Sequence, residues 1–68
     1  MAVSGGMTSA YRCQVSDNRL SATPTTFPSG DCANVEAAVE RLGRGESVIV
    51  AAGDMARLRH TLKNHGIG

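Results

Sequence analysis

Aromatic residues are scarce in this chain of 68 residues, which has one tyrosine, one phenylalanine and no tryptophan. Proteins that hold single-stranded nucleic acid usually stack bases on several aromatic side chains, so that mechanism is excluded. A strong excess of one charge is also missing, because seven basic residues face six acidic ones and the net charge is +1. A domain that captured nucleic acid or an anionic membrane by charge alone would be far more basic.

Cysteines and long apolar segments are few as well. The two cysteines, Cys13 and Cys32, cannot supply the disulfide framework of a small secreted domain. The longest apolar run, at 48–52, has five residues, whereas a membrane-spanning helix needs about 20. Residues 1–10 lack the basic start and the apolar stretch of a signal peptide. These absences predict a cytoplasmic protein with reduced thiols and no membrane association.

The length and the apolar content predict one small domain with a thin core. Hydrophobic residues make up 41% of the chain, an ordinary share for a globular protein. Residues 1–8 are predicted to be a disordered leader or remnant, because Gly5 and Gly6 stand directly before a second methionine. Residues 9–68 are predicted to form the single α/β domain.

A β-hairpin is predicted near the start of the domain. Apolar and polar residues alternate over 11–16 and again over 19–23, which is the pattern of half-buried strands. Asp17 and Asn18 between them tolerate positive φ and suit a tight turn. Two prolines downstream, at 24 and 28, predict that the second strand ends there, because proline cannot continue a central strand.

The first helix is predicted over 32–42, with Asp31 as the N-cap and Gly43 as the left-handed residue beyond its end. At about 100° per residue, its apolar residues share one face: Cys32, Val35, Ala38, Val39 and Leu42. Glu40 is placed to pair with Arg44 four residues later.

Residues 47–52 are rich in strand-forming residues and do not alternate, which predicts a third strand that is covered on both faces and lies at the centre of the sheet. Asp54 then caps a second helix whose Met55, Leu58 and Leu62 recur at helical spacing. Gly66 ends this helix, and Ile67 folds back on it.

The order β-β-α-β-α predicts the α+β class, as a small two-layer sandwich with an N-terminal hairpin and two short helices on a three-stranded sheet. The predicted core comprises large apolar side chains and one cysteine: Tyr11, Cys13, Val15, Leu20, Val35, Val39, Leu42, Val48, Val50, Leu58 and Leu62.

No catalytic constellation stands out in the sequence. It has no acid–base carboxylate pair, no hydrolase or zinc-protease motif and no phosphate-binding loop. Cys13, Cys32, His60 and His65 are zinc-type ligands, but the cysteines are too far apart for a zinc finger. At the first turn of a helix the Cys32 thiol could have a lowered pKa and be reactive. Its place on the apolar face of that helix instead predicts that it is buried and inert. We therefore expect no enzymatic activity, no metal and no cofactor.

Charge is distributed unevenly between the two helices. Residues 31–46 contain two basic and four acidic residues, whereas 54–68 contain three basic and one acidic. Two ordinary solvated helix faces would give the same pattern; the functional interpretation is an oriented docking surface. The predicted partner-binding residues are Arg57, Arg59, His60 and Lys63. A second predicted interface combines small and acidic residues of the first helix: Ala33, Glu36, Ala37 and Glu40.

By elimination, the sequence predicts a small non-enzymatic protein-binding module, such as a regulator or inhibitor that occludes its partner. A homodimer is expected as well, since self-association buries apolar surface that so short a chain cannot bury alone. The alternative function is weak, non-specific nucleic-acid binding by the basic C-terminal helix. No sequence motif points to a particular family.

Overall fold

The computed structural model describes residues 6–67. The elements follow the predicted order: β1 (Met7–Ser16), β2 (Arg19–Pro28), α1 (Val35–Gly43), β3 (Val48–Ala51) and α2 (Met55–Asn64). Two 3-10 turns, Ser29–Asp31 and Ala52–Asp54, precede the helices. The predicted α+β class is therefore confirmed. Neither helix within this part of the chain is long and apolar enough to cross a membrane.

The hairpin turn matches its prediction. Asp17 and Asn18 have φ values of 55° and 60°, the left-handed conformation that a two-residue hairpin turn requires at both positions. β1 begins at Met7, inside the segment 1–8 assigned above to a leader. Residues 1–5 of that segment lie outside the described residues.

The second strand is longer than predicted because its prolines lie on an outer edge of the sheet. β2 continues to Pro28, and Pro24 stands opposite Tyr11. In a two-residue hairpin the pair beside the turn, here Ser16 and Arg19, exchanges both hydrogen bonds, and every second pair does the same. Counted from there, Pro24 falls in a pair without such bonds, so its nitrogen faces away from β1. No ladder hydrogen bond is lost.

The prediction that β3 is the central strand was wrong. The strand order is β2-β1-β3, with both pairings antiparallel, and β3 pairs only with residues 10–13 of β1. On the far side of β3, the Ala33 backbone N–H donates to the Ile49 carbonyl at 2.8 Å. Val48 and Val50 are buried, whereas Ile49 is half-buried. The continuous apolar run therefore reflects one covered face and one partly covered face.

α1 begins at Val35 rather than at Cys32. Its N-cap is Asn34, whose Oδ1 accepts a hydrogen bond from the Ala37 backbone N–H at 2.7 Å. Asp31, predicted for that role, belongs to the preceding 3-10 turn. The predicted helix began too early because Cys32, three residues before Val35, has the same helical spacing as the apolar residues of α1.

The end of α1 also differs from the prediction. Gly43 is the last helical residue, and the left-handed glycine is Gly45, with φ of 84°. Arg44 adds to the final turn by donating its backbone N–H to the Arg41 carbonyl at 3.0 Å. The left-handed position therefore moves two residues along the chain.

The end of α2 is as predicted. Gly66 has φ of 82°, and its N–H donates to the Lys63 carbonyl at 3.0 Å. The Ile67 N–H donates to the Leu62 carbonyl at 2.9 Å. These two bonds form a Schellman-type cap that folds Ile67 back onto the helix. At the other end, Asp54 occupies the N-cap position, but its side chain makes no capping hydrogen bond.

One buried cluster joins the sheet to both helices, which therefore cover the same face and make two layers: Cys13, Val35, Ala38, Leu42, Val48, Val50, Met55, Leu58 and Leu62. Four predicted core residues are only half-buried at its margin: Tyr11, Val15, Leu20 and Val39. The prediction omitted Ala10, Ala38 and Met55, which are buried.

Candidate functional site

α2 exposes all four residues predicted to bind a partner: Arg57, Arg59, His60 and Lys63. Met55, Leu58 and Leu62 anchor the opposite side of the helix in the core. Since successive helical residues are about 100° apart, this buried stripe fixes the direction of every other side chain. The basic side chains therefore point outward because of the apolar spacing.

The four residues do not form a single patch. Arg59 and Lys63 line a groove on the side of α2 that faces the hairpin. Arg57 lines a second groove on the other side, where Glu36 of α1 is a neighbour. Arg57 and Arg59 are about 200° apart around the helix, so α2 separates them. His60 lines neither of these grooves.

The groove beside Arg59 and Lys63, called the hairpin groove below, has a volume of about 360 Å³. Its remaining lining is apolar: Leu20, Leu62 and Ile67. Leu62 is buried beneath it, while the other two are half-buried. Three parts of the chain therefore form its walls: the start of β2, the second half of α2 and the segment after α2.

Backbone geometry fixes the apolar walls of the hairpin groove. Leu20 stands opposite Val15 in the hairpin, one pair from the turn, so the strand register sets its position. Ile67 is held by its hydrogen bond to the Leu62 carbonyl at 2.9 Å. The groove is therefore already formed in the unbound chain, and binding would cost little ordering of its walls.

The cations of the hairpin groove are not neutralised within residues 6–67. The ion pairs of this part of the chain join Arg44 to Glu40 at 3.5 Å and to Glu46 at 3.7 Å. The first of these confirms the predicted pair four residues apart. Arg59 and Lys63 have no such partner in these residues, so a ligand carboxylate could pair with them without displacing an internal one.

Cys13 lies in the core, close enough to Arg59 to sense its charge. Burial raises the pKa of the Cys13 thiol, and the Arg59 guanidinium lowers it by a smaller amount. The Cys13 Sγ is 3.6 Å from the Tyr11 carbonyl and 3.7 Å from the Met55 Sδ. The thiol therefore stays protonated at neutral pH and is a packing group.

The zinc-type ligands of the sequence are not brought together. In the part of the chain that the structure describes, no three Cys, His, Asp or Glu side chains are placed to hold a metal ion. The prediction that Cys32 is buried in the core was wrong, because it precedes α1 and is half-buried, with Sγ 3.6 Å from the Pro28 carbonyl. The alternative that Cys32 lies in the first turn of a helix also fails, because α1 begins three residues later.

The second predicted interface is only partly a helix face. Ala33 lies before α1, and its N–H bonds to the edge of β3. It therefore belongs to the connection that covers β3, not to the outer surface of the helix. Glu40 is engaged by Arg44. Glu36 is exposed and lines the second groove, of about 380 Å³, with Arg57.

Comparisons with known proteins find no counterpart: no family, curated protein or solved structure matches the chain. The surface chemistry of the fold is therefore the basis for a functional argument. The hairpin groove combines an apolar floor with two cationic side chains. Such a lining can bind an apolar group that has a carboxylate beside it.

Sequence reasoning found the two cations of the hairpin groove but missed Leu20 and Ile67 as wall residues. It treated Leu20 as part of the core and Ile67 as the end of the helix. The signal that was available is the lack of large apolar neighbours, because Leu20 lies between Arg19 and Ser21 and Ile67 lies between two glycines. Large apolar residues at such positions are often left half-exposed.

Proposed function

We propose that this protein is a small non-enzymatic binding module that docks through α2 onto an acidic region of a protein partner. The observation that carries the proposal is the hairpin groove, where Arg59 and Lys63 border an apolar floor. In regulation, such a module would act by covering the partner surface to which it binds.

The exposed charges of Arg59 and Lys63 support the proposal of an acidic protein partner. Both cations are exposed and are without an internal ion pair in the described residues. Long-range attraction to an acidic patch would speed association and set the orientation of docking. The apolar floor would supply the part of the affinity that salt does not screen.

The arrangement of the charges favours a protein over nucleic acid. Arg12 lies on the sheet face away from the helices, since it alternates along β1 with Tyr11 and Cys13. Arg57 lies across α2 from Arg59, and the acidic α1 packs beside α2. Only a few phosphates could be contacted at once. Duplex binding that uses so few contacts would be weak and sensitive to salt, with log K falling by about 0.9 per contact.

The proposal is tested by capture with charge-reversed variants. The test variant combines Arg59→Glu with Lys63→Glu. The control variant combines Arg12→Glu with Arg41→Glu, which changes the net charge equally at exposed positions outside the hairpin groove. Each variant and the parent protein are immobilised and exposed to a lysate of the source organism, with and without nuclease treatment, and the retained proteins are quantified by mass spectrometry.

We expect a protein that the parent and the control variant both retain and that the test variant loses by at least about tenfold, equivalent to about 1.4 kcal/mol. Circular dichroism should show the same fold for all three, because the changed side chains are exposed. Equal retention by the test variant would contradict the proposal. Loss of all binding on nuclease treatment would favour the nucleic-acid alternative.

A further inference from the structure

The hairpin groove has a shape and a chemistry that narrow the class of partner. Its lining contains three aliphatic side chains and two cations, with no carboxylate, hydroxyl or amide side chain. At about 360 Å³ it is near the lower limit of ligand pockets, about 300 Å³. A groove of this size can hold one or two side chains but not a folded surface.

We infer that the hairpin groove takes a short acidic peptide segment that carries one large apolar side chain. The apolar side chain lies between Leu20 and Ile67, above Leu62. Carboxylates on neighbouring residues of the segment pair with Arg59 and Lys63. This inference rests on the proposed function and adds to it the kind of sequence that the partner presents.

The cations and the apolar walls of the groove together require a ligand that has both carboxylates and a large apolar side chain. Arg59 and Lys63 are four residues apart, so they lie on one side of α2 about one turn from each other. Carboxylates spaced along an extended or helical segment can meet both of them. An anion without an apolar group would leave Leu20 and Ile67 exposed to water. An uncharged apolar group would leave Arg59 and Lys63 without an ion-pair partner.

A second copy of this chain does not supply such a segment within residues 6–67. Met7, at 63% exposure, is the large apolar side chain that the described part of the chain leaves exposed. Its neighbours Gly6, Thr8 and Ser9 carry no carboxylate. The acidic residues of α1, Glu36 and Glu40, have only buried or half-buried apolar neighbours: Val35, Ala37 and Val39. The occupant is therefore a segment of a different protein.

The inference is tested by selecting from a library of random short peptides displayed on phage. The parent protein is the target, and the variant Arg59→Glu with Lys63→Glu is used for counter-selection. We expect the selected peptides to share one large apolar residue flanked by aspartate or glutamate. The best of them is then synthesised with a fluorophore, and its dissociation constant is measured by fluorescence anisotropy.

The position of the apolar side chain is tested by pairing a peptide change with a protein change. Replacing the apolar residue of the peptide by serine should weaken binding by about tenfold or more. Ile67→Ser should weaken the original peptide similarly, yet it should have little further effect on the serine peptide, because the two groups contact each other. Val39→Ser, at a half-buried position outside the groove, is the matched control.

The outcomes separate this inference from the proposed function. Acidic peptides that bind regardless of the apolar residue and of Ile67 would overturn the inference and leave the α2 docking surface intact. Peptides that bind the charge-reversed variant equally well would overturn both. Selection of basic or uncharged peptides, or of none, would overturn the inference. So would a dimer in light scattering that Ile67→Ser converts to a monomer, since a second copy would then fill the groove.

Discussion

Cys13 and Cys32 are both free, yet they meet different environments. Cys13 has no exposed surface, because β1 turns it toward the helices, where its sulfur contacts the thioether of Met55. Cys32 lies in the connection after β2 and is half-buried. The chemistry of each thiol therefore follows from its place in the chain, and only Cys13 is coupled to the stability of the core.

We expect the free energy of unfolding to fall as the pH rises above about 9. In the unfolded chain the Cys13 thiol ionises near its ordinary pKa of 9.0, whereas burial raises its pKa in the folded chain. Above the unfolded value, the unfolded state has lost a proton that the folded state still holds. The stabilisation is thus complete below that pH and is lost as the pH rises through the folded pKa.

Urea unfolding from neutral pH to about pH 10 measures this decline. Cys13→Ala should lower the stability at neutral pH, because it opens a cavity in the core. It should also make the alkaline decline shallower. Cys32→Ala is the control and should keep the steeper decline of the parent. An equally steep decline in both variants would show that another group causes it.

At the scale of elements, the start of α1 depends on one side chain. Asn34→Ala should destabilise the protein by about 1 kcal/mol, since it removes the acceptor of the Ala37 N–H. Asp31→Ala is the matched control, because Asp31 lies in the 3-10 turn and was predicted to be the cap. Thermal unfolding should show a lower midpoint for the first variant only. The reverse order would restore Asp31 as the cap.

The elements that sequence predicts correctly are those with local determinants. Asp17 and Asn18 specify the turn by their own conformational preference, and α2 follows from apolar spacing and a terminal glycine. The bounds of β2 and the position of β3 depend instead on which strand is the neighbour. Pro24 is compatible with a strand only on an outer edge, and nothing in the local sequence states that β2 will lie there.

At the scale of the whole molecule, the candidate site shows the same division. The exposure of Arg59 and Lys63 follows from the helical period. Their separation from Arg57, and the groove that they share with Leu20 and Ile67, depend on how the hairpin and the last residues pack around α2. Residues so far apart in sequence meet only through the tertiary fold, so the sequence predicts the cations but not the groove.

The free edge of β2 bears on self-association. Replacing Pro24 by threonine restores an N–H that faces outward, which would allow strands of two molecules to pair along this edge. We expect Pro24→Thr to increase the molar mass measured by light scattering as the concentration rises. Thr26→Val, on the same strand but without a new donor, is the control. An unchanged mass would show that Pro24 does not protect the edge.

The prolines on the edge of β2 also restrict which surface the homodimer predicted from the sequence could use. Pairing along β2 would meet Pro24 and Pro28, both of which lack a donor. A dimer would therefore use another surface, and the exposed Glu36 beside the cationic Arg57 gives the helix layer complementary charges. A molar mass near 7.1 kDa at micromolar concentration would contradict the dimer prediction.

The central place of β1 determines which contacts can form first as the chain folds. Joining Ser16 to Arg19 closes the shortest loop in the sheet, and hairpins form in about 1–10 μs. Pairing Tyr11 with Val50 must close a far longer loop, at a higher cost in chain entropy. We therefore expect β3 to join a hairpin that already exists. Substitutions at the turn should then act on the folding rate, and those in β3 on the rate of unfolding.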